Sequence, residues 1–369
     1  MSPSFKPRFL VGPATTRALM RIEAIRDSIE NLPISPRMLA RLRETARMTS
    51  THASTRIEGN RLTREQVTEV LASDQRFPGR ERDEAEVKGY YAALAATEGI
   101  AKKSRALTED AIRRLHALVM GGGRTKVRPT PYRDGQNVIR DGRSGAIVYL
   151  PPQAKHVPGL MRALVAWLKA PPEKWPTPIL AAVAHYQFAT IHPYFDGNGR
   201  TARLLTTLVL QRGGYALKGL YSLEEYYARD LRGYYEALTI GPSHNYYEGG
   251  ADADITPWVD YFVTGMLDAL QNVRDQASLE ASAGGVDRSR TLRHLDPRQR
   301  QVLSLFVANQ RVTAAAIARG LGLSQRAAAS LCRKWVTAGF LKIADFSRKA
   351  RVYALAPRYE RLIVDGEDD

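Results

Sequence analysis

Apolar side chains recur every three or four positions from Ala14 to about Glu58, with Leu19, Ile22, Ile25 and Ile29 in one stripe and Met38, Leu39 and Leu42 in the next. This is the period of amphipathic helices, and Pro33 and Pro36 interrupt it. A second helical block opens near Glu84 and runs through Tyr90 and Tyr91. A third follows Leu107, where Thr108 is suited to cap the first turn and Asp110 to favour its positive end. Between residues 121 and 152, Gly, Pro and Asp interleave with two short β-prone pieces, Asn137-Val138-Ile139 and Ala146-Ile147-Val148-Tyr149. That pattern predicts a long loop carrying a small hairpin. Helical periodicity returns over 157–169, 178–191, 200–212, 226–238 and 257–280. The body is therefore expected to be mainly α, with one β-hairpin flap.

The pattern lapses over 281–294, where few bulky apolar side chains occur, as in a linker. Beyond it, Pro297 opens a helix through Ala308, Thr313 caps a short helix over 314–319, and Gly320-Leu321-Gly322-Leu323 makes a turn. Ser324 then caps a longer helix that Gly339 ends. Two alternating pieces, 340–343 and 351–355, read as strands joined by a basic turn. This order resembles the winged helix-turn-helix family over about residues 295–357. The resemblance implies that Gln325, Arg326 and Arg333 face a DNA major groove and that Arg348 and Lys349 form a wing tip. A winged helix used for protein contacts or a homodimer is the alternative.

Composition narrows the class. With 369 residues, 44% hydrophobic and 25% charged, the chain has the make-up of a folded protein and room for two or three domains. No apolar run approaches the roughly 20 residues that cross a bilayer. The N-terminus also lacks a basic-then-apolar secretory pattern, so the expectation is a cytoplasmic protein with no membrane partner. The single cysteine, Cys332, excludes an internal disulfide and a cysteine-based metal cluster. Half of the net charge of +16 falls after residue 285, where 16 Lys and Arg face 8 Asp and Glu. Such a balance is an electrostatic footprint for nucleic acid.

The densest chemistry lies in His192-Pro193-Tyr194-Phe195-Asp196-Gly197-Asn198-Gly199-Arg200. The preceding helix is apolar nearly all round and should be buried. Pro193 pushes His192 out of helical geometry, so the chain must turn there. Gly197 and Gly199 permit backbone angles or close approaches that side chains would forbid. The loop then opens a helix, whose free N–H groups and positive dipole end would cradle an anion. Arg200 and Arg203, three apart in the first turn, can hold neighbouring phosphate oxygens. Asp196 is a hard oxygen ligand suited to Mg²⁺ shared with phosphates, and His192 is available as a general base. An EF-hand reading fails, because Arg200 and Thr207 stand where oxygen ligands are required. A zinc pair from His185 and His192 fails on spacing and on the lack of nearby ligands, leaving His185 as a core histidine.

Residues 192–203, HPYFDGNGRTAR, resemble the signature of the Fic family, His-Pro-Phe-x-Asp/Glu-Gly-Asn-Gly-Arg-x-x-Arg, departing only at Tyr194. Tyr132-Arg133, the Tyr149-Leu150-Pro151-Pro152 segment and Tyr234-Tyr235 extend the resemblance over about residues 105–270. It implies a Fic-type helical core over 105–280, between an N-terminal helical region (1–104) and the linker, with the winged module over 295–369. It also implies transfer of AMP from ATP, with Mg²⁺, to a Ser, Thr or Tyr hydroxyl of a target protein, including the chain itself. On this resemblance His192 deprotonates the hydroxyl, Asp196 holds the metal, and Gly197, Asn198 and Gly199 cradle the phosphates, with Asn198 at the α-phosphate. Arg200 and Arg203 bind the outer phosphates, Tyr234 lies on the adenine side, and Ala146, Ile147, Val148 and Tyr149 dock the target's backbone as an added strand. The ring of Tyr194 anchors the loop in the core, and its hydroxyl then needs a partner.

Ser54-Thr55-Arg56-Ile57-Glu58-Gly59 resembles the family's inhibitory motif, Ser/Thr-x-x-x-Glu-Gly/Asn. A helix ending at Glu58 before a glycine presents a carboxylate to an arginine, and the resemblance assigns that arginine as Arg203. The chain would then rest in a restrained state. Two other functions fit the same sequence: a DNA-binding regulator that uses the Fic domain as a nucleotide sensor, and an enzyme that removes AMP.

Overall fold

In a computed structural model of the chain, the residues described are 5–31, 34, 36–73, 76–103, 107–140, 145–171, 174–241, 243–283, 291–292, 294–345, 351–360 and 362–363. The chain divides into two units: residues 1–27 with 45–273, and residues 28–44 with 274–369. The N-terminal region expected to stand apart up to residue 104 thus contributes to both.

Caps and prolines set most helix boundaries up to residue 212. α1 (Pro13–Asn31) and α2 (Pro36–Ile57) are separated at the proline-containing segment. α3 (Arg64–Ala72) escaped the periodicity reading because it buries only Val67 and Val70. Its start is fixed by a reciprocal capping box between Thr63 and Gln66. α4 (Glu81–Lys103) follows, then α5 (Glu109–Val119), where the Thr108 side chain accepts from the Ala111 N–H. β1 (Ile139–Arg140) and β2 (Ile147–Tyr149) pair antiparallel with a register shift, forming the expected flap. α6 (Val157–Lys169), α7 (Thr177–Ile191) and α8 (Asn198–Arg212) come next.

The predicted 226–238 helix is in fact two, α9 (Leu223–Arg229) and α10 (Leu231–Leu238). Asp230 leaves helical geometry and its carboxylate accepts from the Gly233 N–H, so a second N-cap splits the run. α11 (Thr256–Ala283) overruns the start of the expected linker by three residues, and 284–290 of that linker lie outside the described residues.

The core of the first unit is built on α7, buried on nearly every face. α8 runs against it, α4 and α5 pack on α8, and α6 packs on α7. Trp258 of α11, fully buried, donates its Nε1–H to the Ala182 carbonyl (2.8 Å) and fastens α11 to α7.

The second unit contains α12 (Pro297–Ala308), β3 (Val312–Thr313), α13 (Ala314–Leu321), α14 (Gln325–Thr337), β4 (Leu341–Asp345), β5 (Val352–Leu355) and α15 (Pro357–Glu360). The strands form one antiparallel sheet in the order β3-β5-β4. β3 was missed in the sequence because two residues carry no readable alternation. Leu303, Phe306, Ile317, Trp335 and Phe340 make its core, and Cys332 lies among them with burial raising its thiol to about 11. Gln325, Arg326 and Arg333 are exposed on α14, whereas Arg348 and Lys349 lie outside the described residues. Among the described residues no helix is long and apolar enough to cross a membrane.

Two glycines of α4 test the packing of the first unit. A Cβ at Gly89 would stand 2.1 Å from the Val119 carbonyl oxygen, whereas one at Gly99 would meet nothing within 4 Å. Gly89→Ala should lose about 1–3 kcal/mol by forcing α4 and α5 apart. Gly99→Ala should gain about 0.5–1 kcal/mol from helix propensity. Urea denaturation of both variants checks the opposite signs.

Candidate active site

α7 ends at His192, which adopts a left-handed conformation (φ 51°, ψ 61°). Proline at 193 bars a further helical residue, but the departure is left-handed rather than the extended geometry usual before proline. A non-glycine residue in this region costs of order 1–3 kcal/mol and needs support from its surroundings. Arg133 supplies it: its Nε donates to the His192 carbonyl (2.9 Å) and its backbone N–H to the Pro193 carbonyl (2.9 Å). The same guanidinium donates to the carbonyls of Gly135 and Pro152, so it ties the catalytic-loop candidate to both ends of the flap segment.

The turn after His192 is closed by a side chain expected to do something else. Asn198 accepts from the Tyr194 N–H (3.0 Å) and donates to the Tyr194 carbonyl (2.8 Å) while 3% exposed. Its side-chain amide is engaged inside the loop, at the position where the resemblance implies an α-phosphate contact. Asn137 of the flap segment donates to the carbonyls of Tyr194 and Phe195 from outside. Tyr194 is buried as expected and stacks on His116 (3.6 Å between centroids). Its buried hydroxyl, however, finds no hydrogen-bond partner among the described residues.

Gly197 has φ 74° and α8 starts immediately behind it. Asp196 Oδ1 accepts from the Gly197 N–H (2.5 Å) and lies 3.3 Å from Arg200 Nη2, while Oδ2 lies 3.8 Å from Arg82. Half of the Asp196 side chain remains exposed at the mouth, so it is the group open to a cation. No cluster of three or more His, Cys, Asp and Glu exists among the described residues. A cation here would take its other ligands from a bound substrate and water, as Mg²⁺ does beside phosphates.

Both arginines are buried, Arg200 1% and Arg203 2% exposed. Arg203 donates Nε to the Ser54 hydroxyl (2.7 Å), and Nη2 to the Ser54 carbonyl (2.9 Å) and to Glu58 Oε1 (2.8 Å). Its Nη1 is buried and unpartnered among the described residues. Glu58 reaches this position because α2 ends in a Schellman motif: Asn60 N–H donates to Thr55 O, Gly59 N–H donates to Arg56 O, and Gly59 sits at φ 90°. A Cβ at Gly199 would lie 2.2 Å from Glu58 Oε1, so the carboxylate fills the space that the missing side chain leaves over the start of α8. Tyr235 of α10 donates to the Ile57 carbonyl (3.2 Å) and braces the same helix end.

Burial lowers the His192 imidazole to about 4, against smaller upward effects from the Ala189 carbonyl and Glu58, so it is neutral near pH 7. Its Nδ1 faces the Ala189 carbonyl (3.3 Å), an acceptor only, which puts the proton on Nδ1 and the lone pair on Nε2. Burial would also lower the Arg203 guanidinium, but Glu58, Tyr234 and Tyr90 outweigh it and hold the charge above its ordinary range.

The loop thus brings together His192, Asp196, Gly197, Gly199, Arg200 and Arg203 with Ser54 and Glu58. Tyr234 adjoins Arg203 from the core side. It is 2% exposed, stacks on Tyr227 and bonds to His185 Nε2 (3.0 Å), so the structure shows no face of its ring open to a base, where the resemblance implies an adenine-side residue. His185, fully buried between Thr206 and Tyr234, is the core histidine expected. In the flap, Ala146, Ile147 and Val148 are exposed, and the half-buried Tyr149 donates to the Thr190 carbonyl (3.0 Å). The sequence did not announce His116, the anchoring by Arg133 and Asn137, or Tyr235. Only Tyr132-Arg133 and Tyr234-Tyr235 carried any signal, through resemblance.

Residues 106–210 match the family model described as the Fic/DOC family. The chain is similar to protein adenylyltransferase fic-1 of Caenorhabditis elegans, 31% identical over 225 residues, 59% of this chain and 42% of that protein. It is also similar to protein adenylyltransferase Fic of Nematostella vectensis, 30% identical over 200 residues, 53% of this chain and 45% of that one. The chain spans less than half the length of these relatives. Among solved structures, a Fic family protein from Desulfovibrio desulfuricans G20 matches 99% of this chain and 100% of its own, with TM-score 0.60 and 25% identity. Fic-1 from C. elegans matches 73% of this chain and 74% of its own, with TM-score 0.56 and 25% identity.

The buried histidines set a pH dependence. Burial lowers His116 and His192 to about 4 and His185 to about 3, below the ordinary 6.5. The unfolded chain therefore binds more protons below pH 6.5, and stability present above that pH is lost as pH falls toward 4. The loss should be on the order of 2 kcal/mol at pH 5 for each of the buried pair His116 and His185. Melting temperatures at pH 7.5, 6 and 5 should fall in that order, and His185→Gln should flatten the decline.

Proposed function

The chain belongs to the Fic/DOC family, and from that premise we propose that it transfers AMP from ATP to a hydroxyl of a protein and that Glu58 restrains it. The observation that carries this reading is the Glu58 carboxylate, bonded to Arg203 in the space over Gly199 where an anion would lie. A carboxylate at a helix N-terminus, paired with a buried arginine, marks an anion site by occupying it. The unpartnered Arg203 Nη1 adds a donor aimed at the same space.

In the transfer, the target's hydroxyl oxygen attacks the α-phosphorus, the bond to the β-phosphate oxygen breaks, and diphosphate leaves. His192 Nε2, free because Nδ1 holds the proton, accepts the hydroxyl proton. The N–H groups at the start of α8, Arg200 and Arg203 hold the phosphates in place, so positioning and charge stabilisation carry the rate. Mg²⁺ held by Asp196 would neutralise phosphate charge. The exposed Ile147 and Val148 of β2 offer the target an apolar ledge beside the loop. Glu58 on Arg203 excludes the outermost phosphate, so ATP is held out of the productive pose.

The second unit supports a second role. Three helices with an antiparallel sheet fit a winged helix-turn-helix, and Gln325, Arg326 and Arg333 lie exposed on its third helix, α14. DNA binding through that face, or control of it by nucleotide, is compatible with transfer by the first unit.

With labelled ATP, Glu58→Gly should raise AMP incorporation, into itself or added protein, by about tenfold or more. Adding His192→Ala should reduce it by about 10²–10⁴-fold. Nucleotide-dependent DNA shifts without any incorporation would favour the regulator, and release of AMP from modified protein that needs Glu58 would favour AMP removal.

A further inference from the structure

His116 lies on the buried face of α5, far from the signature in sequence, and its ring touches the signature loop at two points. It stacks on Tyr194 at 3.6 Å with 17° between planes. Its Nε2 lies 2.9 Å from the Asp196 carbonyl oxygen. A carbonyl only accepts, so Nε2 carries the hydrogen and donates. A Cβ at Gly197 would come within 3.3 Å of this nitrogen, which places the imidazole directly beneath the Asp196–Gly197 peptide.

We propose that His116 is a positioning residue for the transfer site, choosing which way the Asp196–Gly197 peptide faces; the proposal rests on the AMP-transfer reading. The peptide is trans, so its C=O and N–H point in opposite directions. With the carbonyl held down on His116, the Gly197 N–H points up and donates to Asp196 Oδ1, fixing the carboxylate. Nothing in the local backbone makes this choice. Rotating the peptide changes ψ of Asp196 and φ of Gly197, and glycine accepts either sign of φ at little cost. In the flipped state a carbonyl oxygen would face the phosphates, and the Asp196 carboxylate would lose its donor. Glycine gives the loop its close turn and also its ambiguity, and His116 removes the ambiguity from below.

Two substitutions separate donation from packing, both made in the full chain carrying Glu58→Gly. His116→Gln keeps an N–H donor near the position of Nε2. His116→Phe keeps the ring on Tyr194 and removes the donor. In His116→Phe, kcat should fall and the Mg²⁺ concentration for half-maximal transfer should rise, each by about 10-fold or more. In His116→Gln both should stay within about threefold of the parent. The direct readout is the Gly197 amide signal in ¹⁵N-glycine-labelled protein, which should move in His116→Phe and stay near its parent position in His116→Gln. That signal needs no turnover, so a parent that fails to transfer AMP would sink the functional reading while leaving this one decidable. An unmoved Gly197 signal in His116→Phe, or a Gln variant as impaired as the Phe variant with both folded, would overturn the proposal.

Discussion

A guanidinium buried to 2% needs a counter-charge, and in this chain Arg203 takes it from Glu58, 145 residues away. Removing one partner of a fully buried pair costs about 3–5 kcal/mol. The cost here is smaller, because 27% of the Glu58 side chain is exposed. It is still large enough to couple two events. On the proposed function, Glu58 would leave readily only when another anion, a phosphate, arrives, and restraint and substrate binding would be alternatives for one buried charge rather than separate devices.

The surrounding structure would support that competition. The Schellman turn at Gly59 ends α2 where the carboxylate can reach Arg203, Ser54 accepts from Nε one turn earlier, and Tyr235 braces the helix end. On the other side, α7 holds His192 in a left-handed conformation that Arg133 secures through the carbonyl. The flap segment is linked to the same loop through Arg133 and Asn137, so the ledge suited to a target and the base that would act on it share supports. Gly199 has no side chain for a steric reason, since a Cβ would collide with the carboxylate now and would crowd any phosphate in its place.

Much of this was legible in the sequence, and the limits have physical causes. Periodicity and helix-opening prolines located α6 and α12 to their residue numbers, and α7 and α8 to within two residues, because apolar stripes and prolines are local signals. The same reasoning missed α3 and β3, which bury too little to leave a stripe, and ran through Asp230, where a carboxylate cap outweighs a continuous pattern. The ordered residues of the loop could be read as base, metal ligand and anion cradle from their chemistry. Which side chains hold the loop could not, because His116, Arg133 and Asn137 act through contacts 57 to 80 positions away in the chain. The structure engages Asn198 with the Tyr194 backbone, four positions away, and Tyr234 with His185, 49 positions away, partners that neither periodicity nor the resemblance names.

The competition for Arg203 can be measured without turnover, by following thermal unfolding of the native chain and of Glu58→Ala with increasing inorganic diphosphate. Shared occupancy predicts that the variant melts below the native chain in the absence of anion and is raised toward it by diphosphate, while the native chain responds weakly. A variant as stable as the native chain, or equal responses of both to diphosphate, would contradict the claim that Glu58 and phosphate compete for one buried charge.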